Sequence, residues 1–166
     1  SRLGAGARLV QGDMRHLPFA RPFAGVLSFF TSFGYFMSEG DNVRVLREIA
    51  RVLTPGGKLL LDLADRRSVV EGLVPQSSRR EGELTIEERR WISSSGDRVE
   101  KEVRLLESGE ERRLYESVRL YDLDEVCEAL RGAGLRCLRT YGDFSGSPYP
   151  CEEGGRMVVV AERISD

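Results

Sequence analysis

The sequence predicts an α/β fold that joins a buried parallel sheet to a run of antiparallel strands, and three observations support this. Lys58–Leu63 is a nearly unbroken apolar run after a Thr-Pro-Gly-Gly turn, which is typical of a strand covered on both faces of a parallel sheet. Apolar residues with helical spacing precede that turn, namely Leu46, Ile49, Ala50 and Leu53. Between residues 84 and 120, apolar and polar residues alternate, which indicates antiparallel strands with one buried face.

The composition narrows the range of partners. The 166 residues have the length of one domain, and 40% hydrophobic content is enough to form a core. A net charge of −2 gives no electrostatic reason to expect nucleic acid or an anionic membrane as a partner. No apolar run reaches the roughly 18–20 residues of a membrane span, and we see no signal-peptide pattern.

The cysteines and the single histidine do not predict a metal site. Cys127, Cys137 and Cys151 lack metal-ligand spacing, and His16 is the only imidazole. We expect reduced thiols that pack in the interior, and therefore a cytoplasmic protein. His16 precedes Pro18 in a loop, which favours a surface residue; a general base is the alternative.

The N-terminal part predicts the order strand, strand, helix, strand. Residues 1–6 resemble the end of a helix, and Ala7–Gln11 is expected to form a short strand. Phe23–Phe30 is strongly apolar and predicts a central strand. Asp41 is placed to cap the following helix. Residues 66–82 are polar and are expected to form a helix and a loop.

The C-terminal part predicts a three-stranded antiparallel meander, a helix and a hairpin. Turn signals at Ser93–Asp97 and Glu107–Glu110 separate the three strands. Asp122 and Glu125 have the spacing of a capping box at the start of the helix. The hairpin strands are expected at Leu135–Tyr141 and Arg156–Arg163.

Four segments match a known family in order and spacing. Gly12–Arg15, Phe23–Phe30 and Leu46–Leu63 resemble the third strand, the fourth strand, and the helix, turn and fifth strand of class I S-adenosylmethionine-dependent methyltransferases. Tyr121–Leu135 resembles the last helix of that family. The resemblance implies a Rossmann-like sheet, S-adenosylmethionine as cofactor, and methyl transfer to an N, O or C nucleophile of a small-molecule acceptor.

The resemblance also implies which residues bind the cofactor. Asp13 would accept a hydrogen bond from the adenine N6 amino group, and the backbone N–H of Met14 would meet adenine N1. A carboxylate beside an amide complements the adjacent donor and acceptor of adenine. The backbone around Phe29 and Phe30 would lie near the methionine part, where its carbonyls could receive the ammonium group.

Other polar residues are candidates for the acceptor. Thr31, Ser32 and Tyr35 follow the fourth strand, at an edge where open α/β sheets bind ligands, and Tyr35 is the best candidate for positioning the acceptor in catalysis. If the acceptor is a neutral amine, the step needs in-line alignment and exclusion of water and does not require a strong general base. The run Gly-Asp-Met-Arg followed by Phe-Thr-Ser-Phe-Gly-Tyr is similar to a subgroup that includes amino-sugar N-methyltransferases.

The polar face of the meander has more than one reading. Trp91, Tyr115 and Arg119 suit an acceptor lid or a homodimer surface, and a solvated face is the alternative. We expect a single domain over residues 1–166, with residues 66–120 as an inserted lid or dimerisation subdomain.

The glycine-rich loop and the acidic ribose ligand of the family have no counterpart in the sequence. Gly4–Gly6 is a short GxG without a preceding apolar strand. We expect a fragment whose N-terminal strands are missing, or a sheet that a partner completes. Two rival functions follow: a nicotinamide-dependent oxidoreductase on a related sheet, and a cofactor-free degenerate domain that acts as a binding or dimerisation module.

Overall fold

The computed structural model describes residues 8–151 and 155–164, which form two four-stranded sheets and three helices. The predicted helix end at residues 1–6, including Gly4–Gly6, lies outside the described residues. In chain order the elements are β1 (Phe23–Ser28), α1 (Glu39–Val52), β2 (Leu53–Ala64), α2 (Arg66–Glu71), β3 (Gln76–Glu81), β4 (Leu84–Ile92), β5 (Arg98–Glu107), β6 (Glu110–Arg119), α3 (Leu123–Gly132), β7 (Leu135–Tyr141) and β8 (Arg156–Arg163).

The first sheet has the strand order β1-β2-β8-β7. β1 and β2 are parallel, with Leu27 opposite Leu60. β8 runs antiparallel to both neighbours, and Val159 lies opposite Leu61 of β2. The predicted C-terminal hairpin is therefore confirmed, and its strand bounds are those expected from the sequence.

The core lies between this sheet and helices α1 and α3. Leu59, Leu61 and Leu63 alternate along β2, and all three are buried in this core. The predicted apolar stripe of α1 is confirmed for Leu46, Ile49 and Ala50, which are buried on this helix. The fourth predicted member, Leu53, is buried too, but it ends the helix as the C-cap and begins β2. Burial of each such leucine or isoleucine contributes roughly 2 kcal/mol, so the two helices are held by this face of the sheet.

Two local predictions in the N-terminal part are wrong. Within the predicted strand Ala7–Gln11, residues 8–11 are irregular and exposed, because no described strand lies beside them to pair with their main chain. Helix α1 has Ser38 as its N-cap, so Asp41 is not the cap. The Asp41 carboxylate instead binds the guanidinium of Arg15 at 3.1 Å.

The second sheet is an antiparallel meander of four strands, β3-β4-β5-β6, where the sequence predicts three. The additional strand, Gln76–Glu81, lies in a stretch expected to be a loop and pairs with β4, with Arg79 opposite Ile86. All six of its residues are polar and exposed, so no apolar alternation marks it in the sequence. Its main chain is held by the ladder with β4 alone.

None of the helices in the described ranges is long and apolar enough to cross a membrane. The thiols of Cys127, Cys137 and Cys151 are free and half-buried. Burial is the main cause that raises the pKa of the Cys127 thiol to about 11, and the hydrogen bond with the neighbouring Cys137 is the second cause. This thiol therefore stays protonated at neutral pH and packs as a small apolar group.

The predicted capping box of α3 is confirmed. The backbone N–H of Glu125 donates to Asp122 Oδ1 at 2.9 Å, and the N–H of Asp122 donates to Glu125 Oε2 at 3.0 Å. Each carboxylate thus satisfies one N–H that the helix itself leaves without a partner.

Replacing Asp122 with alanine is expected to lower the free energy of unfolding by about 1 kcal/mol, because the Glu125 N–H loses its acceptor. Urea unfolding followed by circular dichroism measures this loss. Asp124→Ala is the matched control, since Asp124 adds charge to the same first turn. Equal losses in the two variants would mean that charge, and not the cap, stabilises this helix end.

Candidate functional site

The carboxyl ends of β1 and β2 lie at the same edge of the first sheet because the two strands are parallel. The chain leaves β1 at Ser28 and forms residues 29–37, here called the β1–α1 loop, before α1 begins. Open α/β sheets bind their ligands at this edge. The predicted residues Phe29, Phe30, Thr31, Ser32 and Tyr35 all lie in this loop.

The main chain of the β1–α1 loop is left-handed at two successive residues. Phe30 has φ of 56° and Thr31 has φ of 55°. Side chains disfavour this region by roughly 1–2 kcal/mol per residue, and β-branched residues such as threonine most of all. A conformation of this kind persists only where neighbouring groups enforce it.

Asp62 on β2 enforces the conformation. The Phe30 N–H donates to Asp62 Oδ2 at 2.7 Å, and the Thr31 N–H donates to the Asp62 carbonyl oxygen at 3.1 Å. Asp62 is 0% exposed. One buried residue therefore holds both left-handed positions through its side chain and its main chain.

Arg156 on β8 binds the same carboxylate in a bidentate pair. Its Nε donates to Asp62 Oδ1 at 2.6 Å, and its Nη2 donates to Asp62 Oδ2 at 2.5 Å. Sequence reasoning missed both residues. The signal for Asp62 was a single acidic residue inside the apolar run Leu59–Leu63, since a buried carboxylate requires a partner.

Aromatic side chains surround this pair. The Phe29 ring lies 6.1 Å from that of Phe30 and 5.9 Å from that of Phe144. The Arg156 guanidinium lies over the Phe144 ring, 5.1 Å from its centre. Phe30 is 81% exposed, so the main chain is fixed here while the rings face outward and can pack against a ligand.

The polar residues of the loop differ in what they contact. Ser32 Oγ donates to the Phe29 carbonyl at 2.6 Å, so this hydroxyl supports the loop itself. Thr31 is half-buried, and Tyr35 is 44% exposed. Tyr35 lies between Gly34 and Phe36, whose carbonyls accept from Arg98, and the nearby Phe33 stacks on Tyr121 with ring centres 5.3 Å apart. The structure thus presents the Tyr35 ring from a fixed main chain.

Arg98 on β5 fastens the β1–α1 loop to the second sheet. The side chain is buried, and its Nη2 and Nη1 donate to the carbonyls of Gly34 and Phe36, each at 3.3 Å. Its Nε donates to Ser117 Oγ at 2.6 Å, and Nη2 also donates to the Ser117 carbonyl at 2.9 Å. Sequence reasoning missed this residue too, because an arginine in an amphipathic strand is usually solvated.

The polar face of the second sheet continues from Arg98 to the predicted aromatic pair. By register, Glu100 lies between Trp91 and Ser117 on this face. Trp91 and Tyr115 are exposed, with ring centres 6.3 Å apart. The Tyr115 hydroxyl donates to the buried Glu100 carboxylate, and this bond raises the pKa of Tyr115. The same sheet face thus carries these aromatic rings and meets the β1–α1 loop.

Arg119 has partners within the fold. Its Nη2 donates to Glu125 Oε1 at 2.7 Å, its Nη1 donates to the Asp97 carbonyl at 3.2 Å, and its guanidinium lies over the Tyr121 ring. These contacts join the second sheet to α3. A contact between Arg119 and an acceptor remains a prediction.

Asp13 and Met14 lie near the start of α1. The His16 N–H donates to the Asp13 carbonyl at 2.9 Å and closes a turn in which His16 is exposed, as predicted. Arg15 binds the Asp13 carboxylate through Nη2 at 2.7 Å and lowers the pKa of Asp13 to about 2. Because Arg15 also lies over the Phe36 ring at 4.5 Å, Asp13 is placed beside the β1–α1 loop. Met14 packs against the core.

A cleft of about 510 Å³ opens next to the carboxyl end of β2. Asp65, Val70, Ile92 and Tyr149 are among its lining residues. The Tyr149 hydroxyl donates to Asp65 Oδ2 at 2.8 Å, and burial followed by this bond raises the pKa of Tyr149 to about 12. Within residues 8–151 and 155–164, no cluster of three or more His, Cys, Asp and Glu side chains is arranged to hold a metal ion.

Sequence comparison places the chain beside known proteins. A family model described as "Methyltransferase domain" matches residues 1–57. The cypemycin N-terminal methyltransferase of a Streptomyces species is 27% identical over 174 residues, which cover 98% of this chain and 67% of that protein.

Solved structures share the fold. An S-adenosylmethionine-dependent methyltransferase from Clostridium acetobutylicum ATCC 824 has a TM-score of 0.81 at 15% identity, covering 98% of this chain and 67% of that one. The sugar N-methyltransferase KedS8 from Streptoalloteichus has a TM-score of 0.62 at 20% identity, covering 93% of this chain and 62% of that one. The chain thus spans about two thirds of the length of these relatives.

The family model, the curated relative and the fold agree with the resemblance seen in the sequence. The similarity in fold is consistent with the expected mixed α/β architecture. A methyltransferase-domain model thus matches residues 1–57, a curated methyltransferase matches along 98% of the chain, and the fold is that of a solved S-adenosylmethionine-dependent methyltransferase.

Proposed function

We propose that this protein uses S-adenosylmethionine to methylate an amine of a small-molecule acceptor. The observation that carries the proposal is the β1–α1 loop, which Asp62 holds in a left-handed shape at the carboxyl edge of the parallel strands. The relatives named above include an N-terminal methyltransferase and a sugar N-methyltransferase, which favours nitrogen over oxygen or carbon as the methylated atom.

The residues at this edge fit the cofactor. Asp13 is ionised at neutral pH, because its pKa is about 2, and its side chain is 41% exposed. A carboxylate offers about four lone-pair sites, and Arg15 donates to both Asp13 oxygens through its main-chain N–H, Nε and Nη2. The adenine amino group would therefore take the place of one of these contacts, of which the shared Nε bond at 3.1 and 3.2 Å is the longest. Met14 would offer its N–H to the ring, and the carbonyls of Phe29 and Phe30 would receive the ammonium group of the methionine part.

The chain's own residues would orient the acceptor. S-adenosylmethionine supplies an electrophilic methyl group, so the protein needs to align a lone pair with it and to exclude water. Tyr35, Thr31 and Ser32 lie on the fixed loop at this edge and would position the acceptor. A neutral amine needs no strong general base for this step.

We propose the cleft after β2 as the place where the acceptor body lies. Val70 and Ile92 give it apolar walls, and Asp65 brings a carboxylate that attracts an amine. Residues 66–120 would act as an inserted lid within one domain, with Ile92 facing this cleft. Trp91 and Tyr115 lie on the opposite, polar face of the same sheet, so they would contact the acceptor only from the side of the β1–α1 loop. A homodimer surface at the same sheet and a cytoplasmic location remain predictions.

Calorimetric titration of the full-length protein with S-adenosylmethionine and with NADH tests the proposed function. Binding of the first ligand alone supports methyl transfer. Binding of NADH alone would favour the oxidoreductase, and binding of neither would leave a cofactor-free binding module.

Replacing Asp13 with alanine is expected to weaken S-adenosylmethionine binding about 10-fold, because a hydrogen bond to a charged group contributes about 1.5 kcal/mol. Calorimetry measures the dissociation constant. Asp41→Ala is the matched control, since Asp41 is also a partner of Arg15 at 3.1 Å but has no proposed adenine contact. Equal weakening in both variants would attribute the effect to the shape of the turn and contradict the adenine contact.

A further inference from the structure

We propose that Asp62 and Arg156 are positioning residues for the methionine part of the cofactor. They would act through the main chain of the β1–α1 loop, without contacting the ligand. The inference rests on the proposed function, because it concerns the loop that would receive the ammonium group.

The first step of the argument is the conformation of the loop. Among the described residues, eight positions with positive φ are glycines, and the only others are Phe30, Thr31 and Ser108. Glycine adopts this region at no steric cost. Glycine takes this region in the hairpin turns β3–β4 and β5–β6, at Gly82 and Gly109, whereas Phe30 and Thr31 are held there against their preference.

The second step is the source of that constraint. Both N–H groups in question, those of Phe30 and Thr31, donate to Asp62. The Phe30 N–H depends on the Asp62 carboxylate, whereas the Thr31 N–H donates to the Asp62 main-chain carbonyl, which a substitution at this position keeps. Without the carboxylate contact, Phe30 would relax towards negative φ and the peptide plane between Phe29 and Phe30 would rotate. The Phe29 carbonyl belongs to that plane and also accepts from the N–H and Oγ of Ser32, so its direction depends on the Asp62 carboxylate together with Ser32.

The third step is the role of Arg156. A carboxylate has several lone pairs and can rotate about its last bond, so on its own it would not fix one N–H direction. Arg156 binds both oxygens at 2.5–2.6 Å and sets the plane of the carboxylate. The Phe144 ring packs on the guanidinium and keeps it in place. The chain of contacts therefore runs from Phe144 through Arg156 and Asp62 to the loop.

The test compares two ligands that share adenosine and differ in the amino-acid part. Asp62→Asn in the full-length protein is expected to weaken binding of S-adenosylmethionine about 10-fold, and to change binding of 5′-methylthioadenosine by less than about twofold. The second ligand lacks the ammonium group, so it does not sense the loop carbonyls. Calorimetry provides both dissociation constants, and circular dichroism shows that the variant is folded.

Rescue separates positioning from general destabilisation. Adding Phe30→Gly to Asp62→Asn is expected to recover at least about threefold in S-adenosylmethionine affinity, because glycine adopts φ near 56° without an enforcing partner. A structural defect elsewhere in the fold would not respond to this change. Arg156→Lys, which keeps the charge but loses the bidentate bond, should lie between the wild type and Asp62→Asn.

Glu162→Gln is the matched control, because Glu162 is a carboxylate paired with Lys58 and Arg136 on the same strands at the opposite end of the sheet. It should bind both ligands as the wild type does. Equal weakening of the two ligands in Asp62→Asn, or wild-type affinity for both, would overturn the inference. A wild-type protein that binds neither ligand would instead overturn the proposed function.

Discussion

Arg156→Met is expected to lower the free energy of unfolding by about 3–5 kcal/mol, the largest effect among the single substitutions considered. The reason is the position of its partner, because Asp62 is 0% exposed and Arg156 binds both of its carboxylate oxygens. Without Arg156, a buried charge would keep only the Phe30 N–H as a side-chain partner. Urea unfolding with two probes measures the loss and checks two-state behaviour.

A double-mutant cycle separates the interaction energy between Asp62 and Arg156 from the effect of removing either side chain alone. Asp62→Leu together with Arg156→Met removes both charges, so the double variant should be more stable than the sum of the two single losses predicts. Some loss remains, because the Phe30 N–H is left without its acceptor. Arg136→Met is the control, since Arg136 pairs with Glu162 on the same sheet but is 66% exposed, and it should cost less than about 0.5 kcal/mol. A loss of that size in Arg156→Met would contradict the buried pair.

The sequence alone predicted those secondary-structure elements whose pattern lies within a few neighbouring residues. The apolar run Lys58–Leu63 marked β2, and the capping box at Asp122 and Glu125 marked the start of α3. The start of β2 was predicted wrongly, because the strand begins at Leu53 and includes the Thr-Pro-Gly-Gly segment that was expected to be a turn. Each rests on residues a few positions apart, so neighbouring side chains and main-chain groups decide the outcome. The hairpin of β7 and β8 was found for the same reason, because apolar residues concentrate in both strands.

The sequence was insufficient where the deciding contact is distant or polar. Strand β3 carries only exposed polar residues and exists through its pairing with β4. The opposite error concerns residues 8–11, whose apolar character suggested a strand although no described strand pairs with them. Asp62 and Arg156 are separated by 94 positions, and no periodic pattern connects them. Candidate residues were thus found by resemblance, and the groups that hold them were found only in the structure.

Arg98→Met is expected to lower the free energy of unfolding by about 2–3 kcal/mol. Arg98 is 7% exposed and donates to the carbonyls of Gly34, Phe36 and Ser117, so its loss removes several buried hydrogen bonds at once. The Gly34 and Phe36 carbonyls keep one donor each, the Arg119 N–H and the Asn42 amide. It also removes the side-chain link between the second sheet and the β1–α1 loop, and leaves the main-chain bond from the Arg119 N–H to the Gly34 carbonyl at 2.9 Å. Hydrogen exchange should therefore rise in residues 33–37 more than in the core strand β2.

Lys101→Met is the matched control for Arg98→Met, because Lys101 lies on the same strand and pairs with Glu116 at 2.9 Å in a partly exposed ion pair. Its loss should change the free energy of unfolding by less than about 0.5 kcal/mol and leave exchange in residues 33–37 unchanged. Arg98→Lys keeps the charge but cannot reach several carbonyls at once, so we expect an intermediate loss. If Arg98→Met unfolds like Lys101→Met, the link is not needed for stability. If hydrogen exchange rises equally in residues 33–37 and in β2, Arg98 stabilises the fold as a whole and does not specifically hold the β1–α1 loop.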